Sequence, residues 1–210
     1  MGRQTHELIL DAVSQGRPSH RGGAKLVAGT ALALAAVPAM GALRARAQTL
    51  ETEVDVLNYA LTLEHLEATF YREGLETFGP DAFEAGVYDN LVLVRDHEAA
   101  HVETLVQTII DLGGTPVEEA EYDFGYGDDP DAFLEVAATL ENVGVSAYDG
   151  AAQFLTTPAL VTAAGTIVAV EARHASYLNL ITGEVPFPQA FETPLAPEEV
   201  LDAAGGFIVS

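Results

Sequence analysis

Four stretches of this 210-residue chain repeat apolar side chains every three to four residues, and a glutamate interrupts each stretch near its middle. Apolar residues at that spacing cover one face of an α-helix, which packs against other helices to leave water. The predicted helices lie at about 51–76, 87–112, 130–154 and 158–181. The interrupting residues are Glu64, Glu98, Glu141 and Glu171. A bundle that buries these stripes must therefore accommodate four carboxylates in its interior.

The four glutamates are expected in one transverse layer, because each lies about 11 to 13 residues into its predicted helix. The second and fourth helices add a histidine on the same face, at His101 and His174. Burying an unpaired carboxylate costs several kcal/mol, and neighbouring carboxylates repel each other. Two divalent cations, iron or manganese, would remove both penalties. The predicted metal ligands are Glu64, Glu98, His101, Glu141, Glu171 and His174.

This pattern occurs twice along the chain and predicts two half-sites related by a pseudo-twofold axis. The pairs Glu98 with His101 and Glu171 with His174 are each expected to anchor one metal. Tyr71 and Tyr148 follow the other two glutamates by seven residues, which places each about 10 Å along the same face. Both tyrosines are candidate catalytic residues that hydrogen-bond to a ligand, with a plain core role as the alternative. Without metal, crowding should raise the carboxylate pKa values.

Three polar residues near the stripes receive a less specific interpretation. His65 and His97 point away from the apolar face at 100° per residue, so surface roles are predicted. Glu67 lies one turn from Glu64 and could be an additional ligand. A solvated or hydrogen-bonded position beside the stripe is the favoured interpretation of Glu67.

The links between the helices predict the topology. The first and second helices, and the third and fourth, are joined by short links typical of antiparallel hairpins. The link from Gly113 to Asp129 is long, and about 17 extended residues reach about 56 Å at most. A helix of about 25 residues spans about 37 Å, so this link can cross the whole bundle. The expected fold is an all-α four-helix bundle with one long crossover between the second and third helices.

The residues of both halves resemble ferritin-like proteins. The resemblance lies in the segment Leu63–Tyr71 with Glu98–His101, and in Leu140–Tyr148 with Glu171–His174, and it covers about residues 50–210. It implies a ferritin-like bundle in which these residues ligate two metals, as in bacterioferritin and rubrerythrin relatives that activate dioxygen or peroxide. Among ferritin-like branches, the exported and desiccation-associated proteins are the most similar. The tail from Phe191 to Phe207 adds to that similarity.

The charge distribution excludes some partners. Residues 48–210 contain three basic side chains, Arg72, Arg95 and Arg173, against 30 acidic ones, a net charge of −27. Binding to nucleic acid through phosphates is implausible for such a surface. Dense carboxylates along the whole chain favour adaptation to high salt, as in a halophile, and a funnel for cations is the alternative. The chain has no cysteine, so the chemistry depends on carboxylates, histidines and tyrosines.

The N-terminal residues 1–47 are predicted to be an export signal. Basic residues precede an uncharged run from Leu26 to Leu43, and Ala45-Arg46-Ala47 forms a cleavage site. The segment resembles a twin-arginine (Tat) signal in which His20 replaces one arginine. The predicted location is therefore outside the cytoplasm, at the cell surface or secreted. An uncleaved run of about 18 residues would instead be a membrane anchor.

The predicted domains are the signal at 1–47, the bundle at 48–182, and a C-terminal tail at 183–210 that packs on the bundle. The leading functional hypothesis is an exported di-iron or di-manganese protein acting on ferrous iron, dioxygen or peroxide, of ferroxidase or peroxidase/catalase type. The alternative is a non-catalytic bundle, stabilised by metal, that acts in stress or desiccation tolerance. Iron storage in a closed shell is a third possibility, and an oligomer is compatible with the sequence.

Overall fold

The structure, a computed structural model, describes residues 50–209. The four long helices are α1 Glu53–Thr77, α2 Val87–Asp111, α3 Pro130–Ala151 and α4 Pro158–Ile181. A short helix, α5 Pro197–Ala204, and 3₁₀ turns at Pro80–Ala82, Ala152–Phe154 and Gly205–Phe207 complete the regular structure. These residues form no β-strand, only one antiparallel bridge between Tyr122 and Ile208. The predicted all-α class is confirmed.

The export signal predicted for residues 1–47 lies outside the described residues. Between residues 50 and 209, no helix is both long enough and apolar enough to cross a membrane. The observed helix ends lie within three residues of the predicted ones. The largest difference is at α3, which ends at Ala151 because the chain tightens into the 3₁₀ turn that follows.

Side chains at the helix starts explain where the helices begin. Thr52 and Asp55 form a reciprocal capping box at the start of α1, and the Asp129 carboxylate accepts hydrogen bonds from the first turn of α3. The start of α4 is capped from another helix. The Glu53 Oε1 atom accepts hydrogen bonds from the backbone N–H groups of Thr156 and Thr157, at 2.8 and 2.6 Å. This contact ties the first helix to the joint between α3 and α4.

The long link after α2 runs along α1, as the one-crossover topology requires. Near the start of α1, the Asn58 side chain donates to Thr115 O and accepts from Val117 N–H. Near its end, Arg72 forms an ion pair with Glu119 at 2.8 Å. The closest helix pairs are α1 with α2 and α3 with α4, and α1 also packs against α3. The two hairpins are therefore joined face to face.

The apolar core consists of two clusters with the polar layer between them. One cluster contains Leu57, Leu61, Leu105, Ile109, Leu160 and Ile167 among its members. The other includes Leu66, Leu91, Leu140 and Leu178 and an aromatic group in which Phe70 and Phe133 stack with ring centroids 4.6 Å apart. Because both sides of the layer are apolar and packed, its carboxylates are shielded from water.

The C-terminal tail contacts the bundle at several points. Leu195 N–H donates to Ser146 O of α3, and a Cβ added at Gly150 would lie 1.9 Å from Leu195 O. Val200 of α5 is fully buried in the first core cluster. Farther on, Asp123 N–H donates to Phe207 O, which joins the tail to the crossover. The tail therefore lies on α3 and holds the end of the crossover.

Candidate di-metal centre

The six predicted ligands lie together at the centre of the bundle. Each long helix contributes a glutamate whose exposed fraction is 0%: Glu64 from α1, Glu98 from α2, Glu141 from α3 and Glu171 from α4. His174 is 5% exposed, and the His101 side chain is 11% exposed. The mid-helix positions place all six in one transverse layer because the helices have similar lengths.

The side chains form two overlapping groups that could each hold a metal ion. One group is Glu64, Glu98, His101 and Glu171, and the other is Glu98, Glu141, Glu171 and His174. Within each group the ligand atoms lie within 4.8 Å of one another. Glu98 and Glu171 belong to both groups, which is the arrangement of bridging carboxylates.

Atomic distances show how the bridging carboxylates are oriented. Glu98 Oε2 lies 3.2 Å from His101 Nδ1, and Glu98 Oε1 lies 3.0 Å from His174 Nδ1. Glu171 Oε1 lies 2.9 Å from His101 Nδ1, and its Oε2 lies 3.9 Å from His174 Nδ1. The prediction that Glu98 and Glu171 each anchor a single half-site is therefore wrong. Glu64 and His101 belong only to the first group, and Glu141 and His174 only to the second; we call these ligands private. The order of the helices along the chain does not show which glutamates are shared and which are private.

Each private glutamate is held by a tyrosine from the facing helix. The Tyr71 hydroxyl of α1 donates to Glu141 Oε1 of α3 at 2.6 Å. The Tyr148 hydroxyl of α3 donates to Glu64 Oε1 of α1. The other oxygen of each carboxylate, Oε2, faces the histidine of its own group. The seven-residue spacing thus pairs each tyrosine with the glutamate of the other half, and this exchange preserves the pseudo-twofold relation.

Burial raises the pKa values of the carboxylates, and the two imidazoles lower them. Burial, reinforced by neighbouring carboxylates, raises the pKa of Glu64 and Glu171 well above the usual value, although the close contact with His101 opposes the shift. Burial also raises the pKa of Glu141. For Glu98, burial acts in the same direction, but contacts with both imidazoles outweigh it and lower the pKa to about 2. The expected rise of the carboxylate pKa values is therefore confirmed for three ligands and wrong for Glu98, which lies between the two histidines.

The imidazoles respond to the same crowding. Burial lowers the pKa of His101, but the close carboxylates of Glu171, Glu64 and Glu98 outweigh this effect and raise the pKa to about 12. The same balance raises the pKa of His174 to about 10. Without a metal, the imidazoles are thus protonated at neutral pH and partly neutralise the layer. A bound metal would take over that positive charge and release the protons.

The arrangement of lone pairs fits metal ions better than hydrogen bonds. Five buried atoms of the ligands have no hydrogen-bond partner: Glu98 Oε1, Glu141 Oε2, both carboxylate oxygens of Glu171, and His174 Nδ1. Several of them lie within 3.0 to 3.2 Å of each other, yet without the geometry of a hydrogen bond. Buried polar atoms are rarely left unpaired. Carboxylate and imidazole atoms that converge in this way suit divalent iron or manganese, which accept oxygen and nitrogen ligands.

His97 lies at the surface, as predicted, and it also contacts the site. Its ring is exposed, but His97 Nδ1 lies 2.9 Å from His174 Nε2, the nitrogen that faces away from the carboxylates. This contact fixes the orientation of the His174 ring. His65 is half-buried, with its Nε2 3.3 Å from Val117 O of the crossover. The contacts of His97 and His65 depend on which atoms of other segments lie close to them. Helical periodicity gives no information about contacts with other segments.

Glu67 is a fifth buried carboxylate of the layer. Its exposed fraction is 3%, and burial with repulsion from Glu171 and Glu141 raises its pKa well above the usual value. A Cβ added at Gly144 would lie 2.9 Å from Glu67 Oε1. Gly144 follows Glu141 as Glu67 follows Glu64, so a glycine in one half makes room for a carboxylate in the other. Of the solvated or hydrogen-bonded position favoured from sequence, the solvated form is wrong, and the signal available was the Glu67–Gly144 asymmetry of the repeat.

Four long helices, one crossover and a central carboxylate–histidine layer define a ferritin-like bundle with a candidate di-metal centre. Residues 52–184, more than half of the chain, match the family model described as a ferritin-like domain. The chain therefore belongs to the ferritin-like domain family. No curated protein matches it.

Proposed function

We propose that this chain is an exported di-iron or di-manganese carboxylate protein with redox activity toward ferrous iron, dioxygen or peroxide. The observation that carries the proposal is the pair of overlapping ligand groups that share Glu98 and Glu171. Two metals bridged by carboxylates can act as a unit. A layer that held a single ion would not need two histidines on opposite sides of the same carboxylates.

When bound, a pair of iron or manganese ions would supply two electrons, which with two protons would reduce dioxygen to hydrogen peroxide or hydrogen peroxide to two water molecules. The residues provide the setting for this reduction. Glu98 and Glu171 would contribute ligands to both ions, and His101 and His174 would complete one group each. Tyr71 and Tyr148 fix the private glutamates and carry protons within hydrogen-bond distance of the site.

Metal analysis of the full chain purified without added metal, followed by alanine variants, tests this function. Glu64→Ala and Glu141→Ala should each reduce the metal content from two ions to about one, because each glutamate belongs to one group. Glu98→Ala and Glu171→Ala should reduce the content at both positions, because each bridges. All four variants should lose ferrous oxidation and peroxide consumption. Removing Glu64, Glu141 or Glu171 relieves carboxylate repulsion in the metal-free state, whereas Glu98→Ala should lower the stability because His101 and His174 lose a charged partner.

The matched controls are Glu103→Ala on α2 and Glu135→Ala on α3, because both glutamates are exposed on the same helices as ligands. These variants should keep two metals and full activity. A metal-loaded wild type that is inactive with both iron and manganese would contradict the redox proposal. Equal metal content in Glu98→Ala and wild type would contradict the bridging assignment.

One observation favours the alternative, a non-catalytic bundle that metal only stabilises. All four glutamates are fully buried, and catalysis needs a coordination position that a substrate can reach. A structural site predicts an inactive wild type and variants whose unfolding temperature falls with metal content. Thermal unfolding and activity assays on the same proteins distinguish the two functions. If the metal only stabilises the bundle, we propose that the protein acts in stress or desiccation tolerance.

We also propose export and a saline environment for the protein. The support is the signal-like sequence of residues 1–47 and the net charge of −27 over residues 48–210. The sequence similarity to exported and desiccation-associated ferritin-like proteins is consistent with both. N-terminal sequencing of the secreted protein should find Gln48 as the first residue. An intact N-terminus in a membrane fraction would instead support an uncleaved anchor.

A further inference from the structure

A small cavity lies beside the metal layer, enclosed by all four long helices. Its volume is about 30 Å³. The wall comes from the first core cluster and includes Leu63, Leu105, Ala147, Leu160, Ala164 and Ile167. None of the six ligands lines it, so the cavity is separate from the site already described.

The size and the lining of the cavity restrict what it can hold. A cavity of about 10–15 Å³ is the minimum for one water, and an apolar cavity of about 150 Å³ binds benzene. The volume of about 30 Å³ therefore suits a molecule of two or three heavy atoms. The lining is almost entirely apolar. Water or hydrogen peroxide would lose its hydrogen bonds there, whereas an apolar molecule would lose nothing.

The few hydroxyl groups of the wall do not change this conclusion. Thr104 and Thr108 donate to carbonyl groups of their own helix, and Tyr148 donates to Glu64. Among the described residues that line the cavity, Tyr59 has the one hydroxyl without a hydrogen-bond partner. A buried water needs two to four polar partners, so a single free hydroxyl favours a dry cavity.

Residues of three helices line the cavity and lie within one turn of a ligand. Leu63 directly precedes Glu64, Ile167 lies one turn before Glu171, and Leu105 lies one turn after His101. The Tyr148 side chain lines the cavity and also binds Glu64, so one side chain separates the two. On the other side, Tyr59 and Leu63 also line a wider groove of about 540 Å³ between α1, the crossover and α5. The cavity thus lies between an outer groove and the ligands.

We propose that this cavity binds a small apolar molecule and that dioxygen, rather than hydrogen peroxide, reaches the metal layer through it. The binding site itself depends only on the cavity, and the choice of dioxygen rests on the proposed redox function. Tyr59 and Leu63 form the wall toward the groove, and Tyr148 forms the wall toward Glu64. A polar oxidant would have to approach by another path.

Xenon tests the binding site on the metal-free full chain, without any activity. The ¹²⁹Xe chemical shift of the wild type should change with protein concentration in a saturable way, as for a dry apolar cavity. Ala164→Leu, which fills the cavity, should abolish this binding. Ala138→Leu, the same change at a half-buried position of the other core cluster, should leave it intact. Xenon binding that is absent in the folded wild type, or unchanged by Ala164→Leu, would overturn the proposal.

A second variant covers the case in which Ala164→Leu fails to fold, as overpacking can cause. Leu160→Ala enlarges the same cavity, so it should strengthen xenon binding, and unchanged binding would count against the site.

On the metal-loaded chain, Ala164→Leu should slow ferrous oxidation by dioxygen but not by hydrogen peroxide. Equal slowing with both oxidants would overturn the assignment to dioxygen. A wild type inactive with both oxidants would refute the proposed function while the xenon result still decides the binding site.

Discussion

Glu98 and Glu171 each direct one carboxylate oxygen toward His101 and the other toward His174. That division makes them shared between the two ligand groups, while Glu64 and Glu141 stay private. The pKa values divide the four glutamates differently, because the pKa of the shared Glu171 is raised like those of Glu64 and Glu141. The pKa of Glu98, between the two imidazoles, is lowered to about 2, whereas that of Glu64 is raised by burial. Four glutamates that look equivalent along the chain therefore have two different roles.

The buried Glu67 leads to a prediction about the metal-free protein. Its pKa is raised by burial and by Glu171 and Glu141, so its neutral form is favoured in the folded state. The resulting stability is present below the unfolded pKa, near 4.5, and is lost as the pH rises. Glu67→Gln keeps the shape and removes the titration. The free energy of unfolding, measured by urea in EDTA, should therefore fall less steeply above pH 4.5 in this variant than in the wild type.

Glu76→Gln is the control for this measurement, because Glu76 is an exposed residue of the same helix. Its pH profile should match that of the wild type. Identical slopes for Glu67→Gln and the wild type would show that Glu67 is not desolvated in solution.

At the scale of secondary-structure elements, a helix needs glycine where another segment of the chain passes too close to leave room for a Cβ atom. Gly150 of α3 faces the tail backbone, and Gly165 of α4 has no atom of another residue near its Cβ position. An alanine in a helix interior is favoured over glycine by about 1 kcal/mol when nothing opposes it. Gly165→Ala should therefore raise the free energy of unfolding by about 0.5–1 kcal/mol.

Gly150→Ala should have the opposite effect, because its new Cβ would lie 1.9 Å from Leu195 O, a backbone atom. Accommodating the methyl group requires the tail to move, and overpacking of this kind costs about 1–3 kcal/mol. Urea unfolding of both variants measures the difference. If both alanines stabilise the protein equally, the tail does not lie on α3 in solution.

The cap that α1 provides for α4 gives a prediction with a defined pH range. Hydrogen bonds from the backbone of Thr157 and Thr156 lower the pKa of Glu53 to about 2. The charged form is thus favoured in the folded state, so this contribution is present above the unfolded pKa of about 4.5 and lost as the pH falls to about 2. Glu53→Gln should be less stable than the wild type at pH 7, and the difference should disappear near pH 2. A difference that persists at pH 2 would point to packing instead.

At the scale of the molecule, the net charge leads to a prediction about the salt dependence of folding. The 30 acidic residues of 48–210 face three arginines, and Arg72 and Arg95 are already paired with Glu119 and Asp96. Salt screens the remaining repulsion, with a Debye length of about 3 Å near 1 M. The unfolding temperature should rise from low to molar KCl. An isosmotic sucrose series is the control, and equal unfolding temperatures at low and molar KCl would contradict the prediction.

Much of the fold follows from local pattern. Apolar spacing of three to four residues predicts the helices. The length of the segment from Gly113 to Asp129 makes the crossover possible. The mid-helix glutamates point to a polar layer, because equal helices align their middles. These inferences succeed because each depends on periodicity or distance along the chain, which sequence contains directly.

The sequence by itself determined the helices, the crossover and the six residues of the central layer. Only the tertiary structure decided that Glu98 and Glu171 are shared, that Tyr71 and Tyr148 bind the glutamates of the opposite half, and that His97 supports His174. It also decided that Glu67 is buried against Gly144. Helical periodicity defines the face on which a side chain lies, but not its partner on another helix. That partner depends on the rotation and axial offset of packed helices, which arise when the whole core forms.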